Sequence, residues 1–304
     1  MLIFISPGNP AMTPSPHINT VKIVYFSGTG STARVADAFE SELTKRGISI
    51  IKSEIKQGNI CSDEKEDLLI LLFAVHAFNA PRIVYQWIDS LSGKRAIPTA
   101  VISVSGGGEI TPNTACRLSS IRRLEKKNYI VVYEKMMVMP SNWVMKTNDG
   151  LAIRLLWILP PKVERIVDDL LQGVVRRTKP KLIDRVFSRI GEIEKTGARF
   201  FGRNLRVNEK CNSCGWCANN CSANNIIMLD NKPVFGERCI LCLKCIYGCP
   251  KQAIEAGTLK FIILKEGYDL KALEKRMHGI QPAAVEDLTQ GYIWKGVKKY
   301  LLED

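Results

Sequence analysis

No apolar run in the 304 residues is long enough to cross a bilayer. Leu68 to Val75 is the longest unbroken one and Leu151 to Leu159 is interrupted by Arg154, both far short of the roughly 20 residues a membrane helix needs. No secretory leader is expected. Met1 to Ile5 is apolar, has no basic leader and gives way at once to Pro7, Pro10, Pro14 and Pro16, which predicts a loose extension over residues 1–20 and a cytoplasmic location. Acidic residues are scarce beside basic ones, 30 against 43, for a formal net charge of +13. No nucleic-acid-binding motif accompanies that charge, so nucleic acid is not an expected partner. No acid–base pair marks a substrate, and no catalytic residue is assigned.

What the chain does have is concentrated. Eight of its ten cysteines lie between Cys211 and Cys249, as Cys211-x-x-Cys214-x-x-Cys217-x-x-x-Cys221 and, after seventeen residues, Cys239-x-x-Cys242-x-x-Cys245-x-x-x-Cys249-Pro250. Thiolates spaced by two residues can face one inorganic core, while the fourth, three residues on, is carried towards the core held by the other run. The spacing therefore predicts two four-iron clusters with exchanged ligands. Cys211, Cys214, Cys217 and Cys249 would hold the first, and Cys239, Cys242, Cys245 and Cys221 the second. Zinc sites use separated Cys-x-x-Cys knuckles, often with histidine, and have no need of three thiolates in seven residues twice over. Disulfides would need an oxidising compartment. The pattern resembles bacterial two-cluster ferredoxins over Arg206 to Ala256, with one departure: Ser222 follows Cys221 where the family often has proline. Cys61 and Cys116 lie outside the pattern and read as ordinary reduced cysteines.

Near the other end, Lys22 to Phe26 reads as a strand and runs into Ser27-Gly28-Thr29-Gly30-Ser31-Thr32 before the helical pattern of Ala33 to Arg46. A strand, a loop of glycines and hydroxyls and then a helix start is an arrangement that cradles a phosphate with free N–H groups. No lysine follows as in a nucleoside-triphosphate loop, and the glycines lack the dinucleotide spacing. The alternative is a hydroxyl-capped helix after a core strand. Further strands are predicted at Ile48–Ile55, Leu68–Val75, Ile97–Ser105 and Tyr129–Tyr133, with helices at Arg82–Leu91 and Asn113–Lys127 between the later ones. Such alternation predicts an α/β fold with a parallel sheet covered on both faces and ligands at the carboxyl ends of its strands.

The six-residue loop resembles the phosphate loop of flavodoxins at all four of that family's fixed positions. The resemblance implies a five-stranded doubly wound sheet and an FMN whose phosphate is held by Ser27, Gly28, Thr29, Gly30, Ser31 and Thr32. It further implies that His76, Ala77, Phe78 and Asn79 in one loop, and Ser105, Gly106, Gly107 and Gly108 in another, flank the flavin ring, with Asn79 and the glycines as the best donors. Flavodoxins usually clamp the ring between aromatics. Only Phe78 is available here; Met139 to Trp143, beyond the fifth strand, could cover the ring, with core packing as the alternative for Trp143, and a homodimer could complete an open flavin face.

Taken whole, the chain resembles flavodoxin–ferredoxin fusion proteins of anaerobic bacteria and archaea. The division expected is an extension at 1–20, an FMN domain at 21–160, a basic helical connector at 161–205, a small α+β two-cluster domain at 206–256 and a capping segment at 257–304. The connector is read as two amphipathic helices joined at Thr178–Pro180, and residues 151–210 carry 14 basic against 7 acidic residues, which suits an acidic redox protein as partner. In the capping segment a strand is expected at Leu259–Leu264 and helices at Leu270–His278 and Tyr292–Leu302. The function implied is electron transfer between two [4Fe-4S] clusters and FMN and on to an acceptor. The alternative is an electron carrier whose flavodoxin-like part docks a client enzyme without flavin.

Overall fold

The computed structural model describes residues 18–58, 65–93, 95–191, 194–277 and 283–303. The predicted extension up to residue 17, Cys61 and His278 lie outside them. Five strands, β1 (Thr20–Phe26), β2 (Ser49–Glu54), β3 (Leu68–Ala74), β4 (Ile97–Ser105) and β5 (Tyr129–Val138), form one parallel sheet in the order β2-β1-β3-β4-β5. This is the flavodoxin-like order, in which the chain reverses direction across the sheet beside β1 and leaves a crevice at the strand ends. β3 is buried along almost its whole length because helices cover both faces.

On one face lie α1 (Ser31–Lys45), α4 (Asp149–Trp157) and α5 (Leu159–Leu171), whose Phe39, Leu155 and Val167 pack with Ile23, Ile70 and Ile102. On the other lie α2 (Arg82–Asp89) and α3 (Leu118–Lys126), where Val84, Ile88 and Leu124 meet Val24, Leu71 and Val101. The helix expected from Asn113 starts only at Leu118. The preceding residues are drawn into turns, and Thr114 donates its N–H and hydroxyl to Asp184. β5 runs five residues past its expected end. It continues through Glu134 and Lys135 because both charges are paired, Glu134 with Arg117 and Arg177 and Lys135 with Glu303.

α5 ends at Leu171, short of the expected Arg177. Gly173 turns the chain at φ 72°, and the N–H groups of Gly173 and Val174 return to Leu170 and Asp169. The following segment pairs Arg176 with Tyr133 and so covers the edge of β5. Two connector helices follow, α6 (Leu182–Gly191) and α7 (Glu194–Asn204).

The cysteine segment carries its structure twice, since each cysteine of the second run lies 28 residues after its counterpart. α8 (Trp216–Asn219) and α9 (Lys244–Tyr247) are equivalent short helices, β7 (Ile226–Leu229) and β8 (Lys232–Phe235) form a hairpin, and β6 (Arg206–Val207) pairs with β9 (Ile254–Glu255). Leu259–Leu264 is not the expected strand. Residues Gly257–Ile262 form a 3₁₀ helix, because Gly257 at φ 52° bends the chain hard against the Asn204 carbonyl and away from any strand it could join. The tail returns as α10 (Leu270–Met277), α11 (Val285–Leu288) and α12 (Lys295–Leu302), and its Leu273, Val297 and Tyr300 join the core on the α1 side. Among the described residues no helix is long and apolar enough to cross a membrane.

Candidate functional site

β1 delivers the loop Ser27–Thr32 to the start of α1. Gly30 at φ 103° stands at the N-cap with no side chain to cap the helix, so the first N–H groups of α1 are left for an external acceptor. Three of the loop hydroxyls are already engaged. Ser27 Oγ accepts from the Gly30 N–H at 3.2 Å, and Thr29 Oγ1 accepts from Asn142 Nδ2 at 2.6 Å. Ser31 Oγ lies 2.6 Å from the Tyr268 hydroxyl, which itself donates to the Pro140 carbonyl, so Ser31 is the donor between them. Thr32 is different. Its Oγ1 is buried without a partner, and Thr32 lines a cavity of about 130 Å³ at the loop. An orphaned hydroxyl beside free helix N–H groups fits the phosphate end of a nucleotide.

The cavity is walled by Ser27, Gly28, Thr29, Ser31 and Thr32, by His76, Ser105 and Gly106 from the two ring loops, and by Trp143. Ala77, Phe78, Asn79, Gly107 and Gly108 do not line it. The connector and tail occupy them instead. Asn79 donates its amide N–H to the Ser188 carbonyl and accepts from the Ser188 hydroxyl, both at 2.6 Å, and Phe78 packs edge-on against Phe187 at 5.8 Å. Gly107 donates its N–H to Ser105 Oγ at 3.1 Å, and Gly108 lies against the backbone of Gly296. His76 is buried in hydrogen-bond contact with the Ile240 backbone, and burial lowers it to about 4, so it is neutral at pH 7.

A further wall comes from the cysteine segment itself, through Leu241, Cys242 and Leu243. A Cβ placed on Gly28 would stand 2.2 Å from the Cys242 carbonyl oxygen, so the second cysteine run sits directly on the phosphate loop. Lys244 fixes it there through Glu54 at 2.6 Å. A second, larger groove of about 880 Å³ opens on the outer side of Gly28–Gly30, between α8, α9 and the 263–271 strap.

The thiols gather in two sets. Cys211, Cys214, Cys217 and Cys249 line one small cavity with Met228 and Pro233, and the charges of Cys249 and Cys211 act on Cys217. Cys221 acts on Cys239, Cys242 and Cys245, where burial first and the neighbouring thiols next push Cys239 up to about 12 and Cys245 well above its ordinary value. The fourth cysteine of each run thus stands with the trio of the other. Backbone N–H groups point at the sulfurs in matching places, from Asn225 to Cys221 at 3.2 Å and from Ala253 to Cys249 at 3.3 Å. Among the described residues no group of three such donors is drawn together around a single metal-ion position. Two sets of four thiols fit polynuclear iron–sulfur cofactors, whose larger core holds its ligands apart. Cys116 is buried apart from both sets.

Sequence reasoning placed Asn142 only in a stretch that could cover the ring and missed its bond to Thr29, as it missed Tyr268 and the 241–243 wall, because each reaches the loop from more than 100 residues away. No local pattern announces such contacts.

No family model matches the chain. A 48-residue stretch is 50% identical to an uncharacterized polyferredoxin-like protein of Methanocaldococcus jannaschii, covering 16% of this chain and 21% of that one. The chain therefore spans about a fifth of the length of that curated relative. Among solved structures, the flavodoxin of Streptococcus pneumoniae TIGR4 is 16% identical over 51% of this chain and 99% of that one, at a TM-score of 0.38. Flavodoxin 2 of Bacillus cereus gives 15%, 49% and 99% at 0.37. The general stress protein 14 of Treponema denticola, solved in complex with FMN, gives 13%, 50% and 95% at 0.35. The strand order and the polyferredoxin-like match together fit a flavodoxin–ferredoxin fusion.

Proposed function

We propose that the chain is an electron-transfer protein in which two [4Fe-4S] clusters stand in series with an FMN anchored at Ser27–Thr32. The observation that supports this most strongly is the place of Cys242. Its thiol belongs to the set of Cys221, Cys239 and Cys245, while its carbonyl rests on Gly28 of the phosphate loop. One residue thus belongs to both sites. When bound, the clusters would exchange single electrons and the flavin one or two.

The chain's own residues supply the setting. The start of α1 and Thr32 would hold the phosphate, while Leu241, Leu243 and Trp143 keep water from the cavity. Neutral His76 adds no charge beside it. The N–H donors at Cys221 and Cys249 favour the reduced, more negative cluster states. The set of Cys211, Cys214, Cys217 and Cys249 is the outer one, with Cys214 exposed, and it is the place for exchange with a redox partner.

The second reading is a flavin-free carrier. It is favoured by the cavity volume of about 130 Å³, below the roughly 300–1,000 Å³ of sites that enclose a cofactor, and by the engagement of Asn79 with Ser188. Flavin and iron per chain after purification without oxygen decide between them. One FMN with about eight iron atoms is the expected result. The same iron with no flavin after reconstitution selects the second reading.

A further inference from the structure

α6 is folded inside out. Two of its polar side chains are buried: Asp184, 0% exposed, accepts from Thr114, and Ser188, 5% exposed, is bonded to Asn79. Three of its aliphatic side chains point to solvent, Leu182 at 77%, Ile183 at 57% and Val186 at 55%. Positions 182, 183 and 186 fall on one side of a helix and 184 and 188 on the other. An ordinary surface helix does the reverse and turns its apolar stripe to the core. The only inward aromatic is Phe187, against Phe78.

The chain leading into and along this face is mostly basic. Between Val174 and Arg189 the chain has six basic residues and one acid, the buried Asp184. Lys179 and Lys181 precede the helix, Arg185 and Arg189 flank its apolar side, and all four are exposed. Val174 and Val175 are exposed in the same stretch. Nothing in the proposed electron relay uses these residues.

We propose that the outward face of α6, with the cations around it, is a seat for an anionic lipid surface. A short helix presenting aliphatic side chains between Lys and Arg lies in the headgroup plane, its carbon atoms leaving water while its cations meet lipid phosphates. The complement this face lacks is both apolar and negative, and a convex helix surface suits a flat sheet of such groups. Association is reversible and salt-sensitive, since few side chains insert and most of the attraction is Coulombic. It would hold the loop of Phe78 and Asn79 one helix away from the lipid.

The test uses the full iron-loaded chain with vesicles of phosphatidylglycerol and phosphatidylcholine in equal parts, and with phosphatidylcholine alone. The chain should float with the first at low salt, leave them at high salt and ignore the second. The variant Leu182→Asn/Ile183→Asn/Val186→Asn should bind about tenfold more weakly or worse, and Arg185→Glu/Arg189→Glu likewise. All five positions are exposed, so unchanged circular dichroism and iron content are expected. The proposal is overturned if the wild-type chain stays unbound at low salt or if the triple variant binds as well as wild type. It also falls if light scattering shows a dimer that the triple variant dissolves without any vesicle binding, since a second copy would then cover the face.

Discussion

Gly28→Ala tests whether the cysteine segment is seated on the phosphate loop. Gly28 does not have a left-handed backbone, so alanine brings no conformational strain of its own. The cost is steric: the new methyl would lie 2.2 Å from the Cys242 carbonyl oxygen, about 1.2 Å inside the 3.4 Å at which ordinary contact begins. A carbonyl in a cluster-binding loop cannot rotate away like the end of a flexible side chain, so the whole 239–245 stretch must lift. Overpacking of this kind costs about 1–3 kcal/mol. Gly197→Ala is the matched control, because it lies in α7 with nothing within 4 Å of its Cβ and should gain about 0.5–1 kcal/mol from helix propensity alone. Urea unfolding should separate the two variants in opposite directions. Hydrogen exchange should show faster opening at Ile240–Lys244 and at His76 in Gly28→Ala only. A Gly28→Ala chain as stable and as protected as wild type would refute the contact and with it the junction of the two sites.

Three further outcomes follow from the same contacts. Cys249→Ala and Cys221→Ala should each lower the iron content by about four atoms, the first emptying the set that Cys211 belongs to and the second the set that Cys242 belongs to, and distinct paramagnetic signals of the surviving clusters would show the exchange of ligands. Arg117, 1% exposed, holds Glu134 and Glu109 and donates to Ser103 Oγ at 2.8 Å. Arg117→Met leaves the buried Glu134 carboxylate with Arg177 as its one charged partner beside the Thr178 N–H, and the loss should reach about 3 kcal/mol in urea unfolding. His76 is held at about 4 by burial, against 6.5 in the open chain, so the unfolded state binds the proton first as pH falls. The stability this confers is complete above 6.5 and declines towards 4, by about 2 kcal/mol at pH 5. His76→Gln should therefore lose less stability than wild type between pH 7 and pH 5, and equal losses would show that His76 is not buried neutral.

The parallel sheet was legible because strands buried on both faces are nearly continuous apolar runs, and β1, β3 and β4 lie within two residues of their expected ends. Pairing that depends on distant charges was not. β5 passes through Glu134 and Lys135 only because Arg117 and Glu303 meet them. Aliphatic composition suggested a strand at Leu259–Leu264, but a strand needs an edge to join, and Gly257 turns the segment aside. In the connector the helical period was visible while the direction of its faces was not. Apolar residues normally mark the inner side, and here Thr114 and Asn79, 70 and 109 residues away, draw the polar side inward. The loop at Ser27–Thr32 could be found from its own six residues, but not the parts of the chain that close over it.

The two cysteine runs show how one repeat adapts to two surroundings. Each places a residue in left-handed conformation before and after its second cysteine: Ser213 and Gly215 in the first run, Leu241 and Leu243, at φ 53° and 61°, in the second. Leucine is a poor choice for such a backbone, at a cost of about 1–2 kcal/mol per residue. The leucines are 7% and 3% exposed and form the wall over the phosphate loop, and burying each contributes about 1.5–3 kcal/mol. Burial, in the cavity wall and in the cluster with Phe201, Leu205 and Ile246, therefore offsets the strain only in the second run. A Cβ placed on Gly215 would meet nothing nearer than 3.8 Å, at the Asn219 amide. Gly215→Leu should accordingly cost about 1–2 kcal/mol with no compensation, while Leu243→Gly, which sheds strain and burial together, should cost less than the 2–5 kcal/mol typical of emptying a buried leucine site. If urea unfolding instead gave a full core-type loss for Leu243→Gly and no loss for Gly215→Leu, the left-handed backbone would not be the constraint, and the divergence of the two runs would need another cause than docking on the loop.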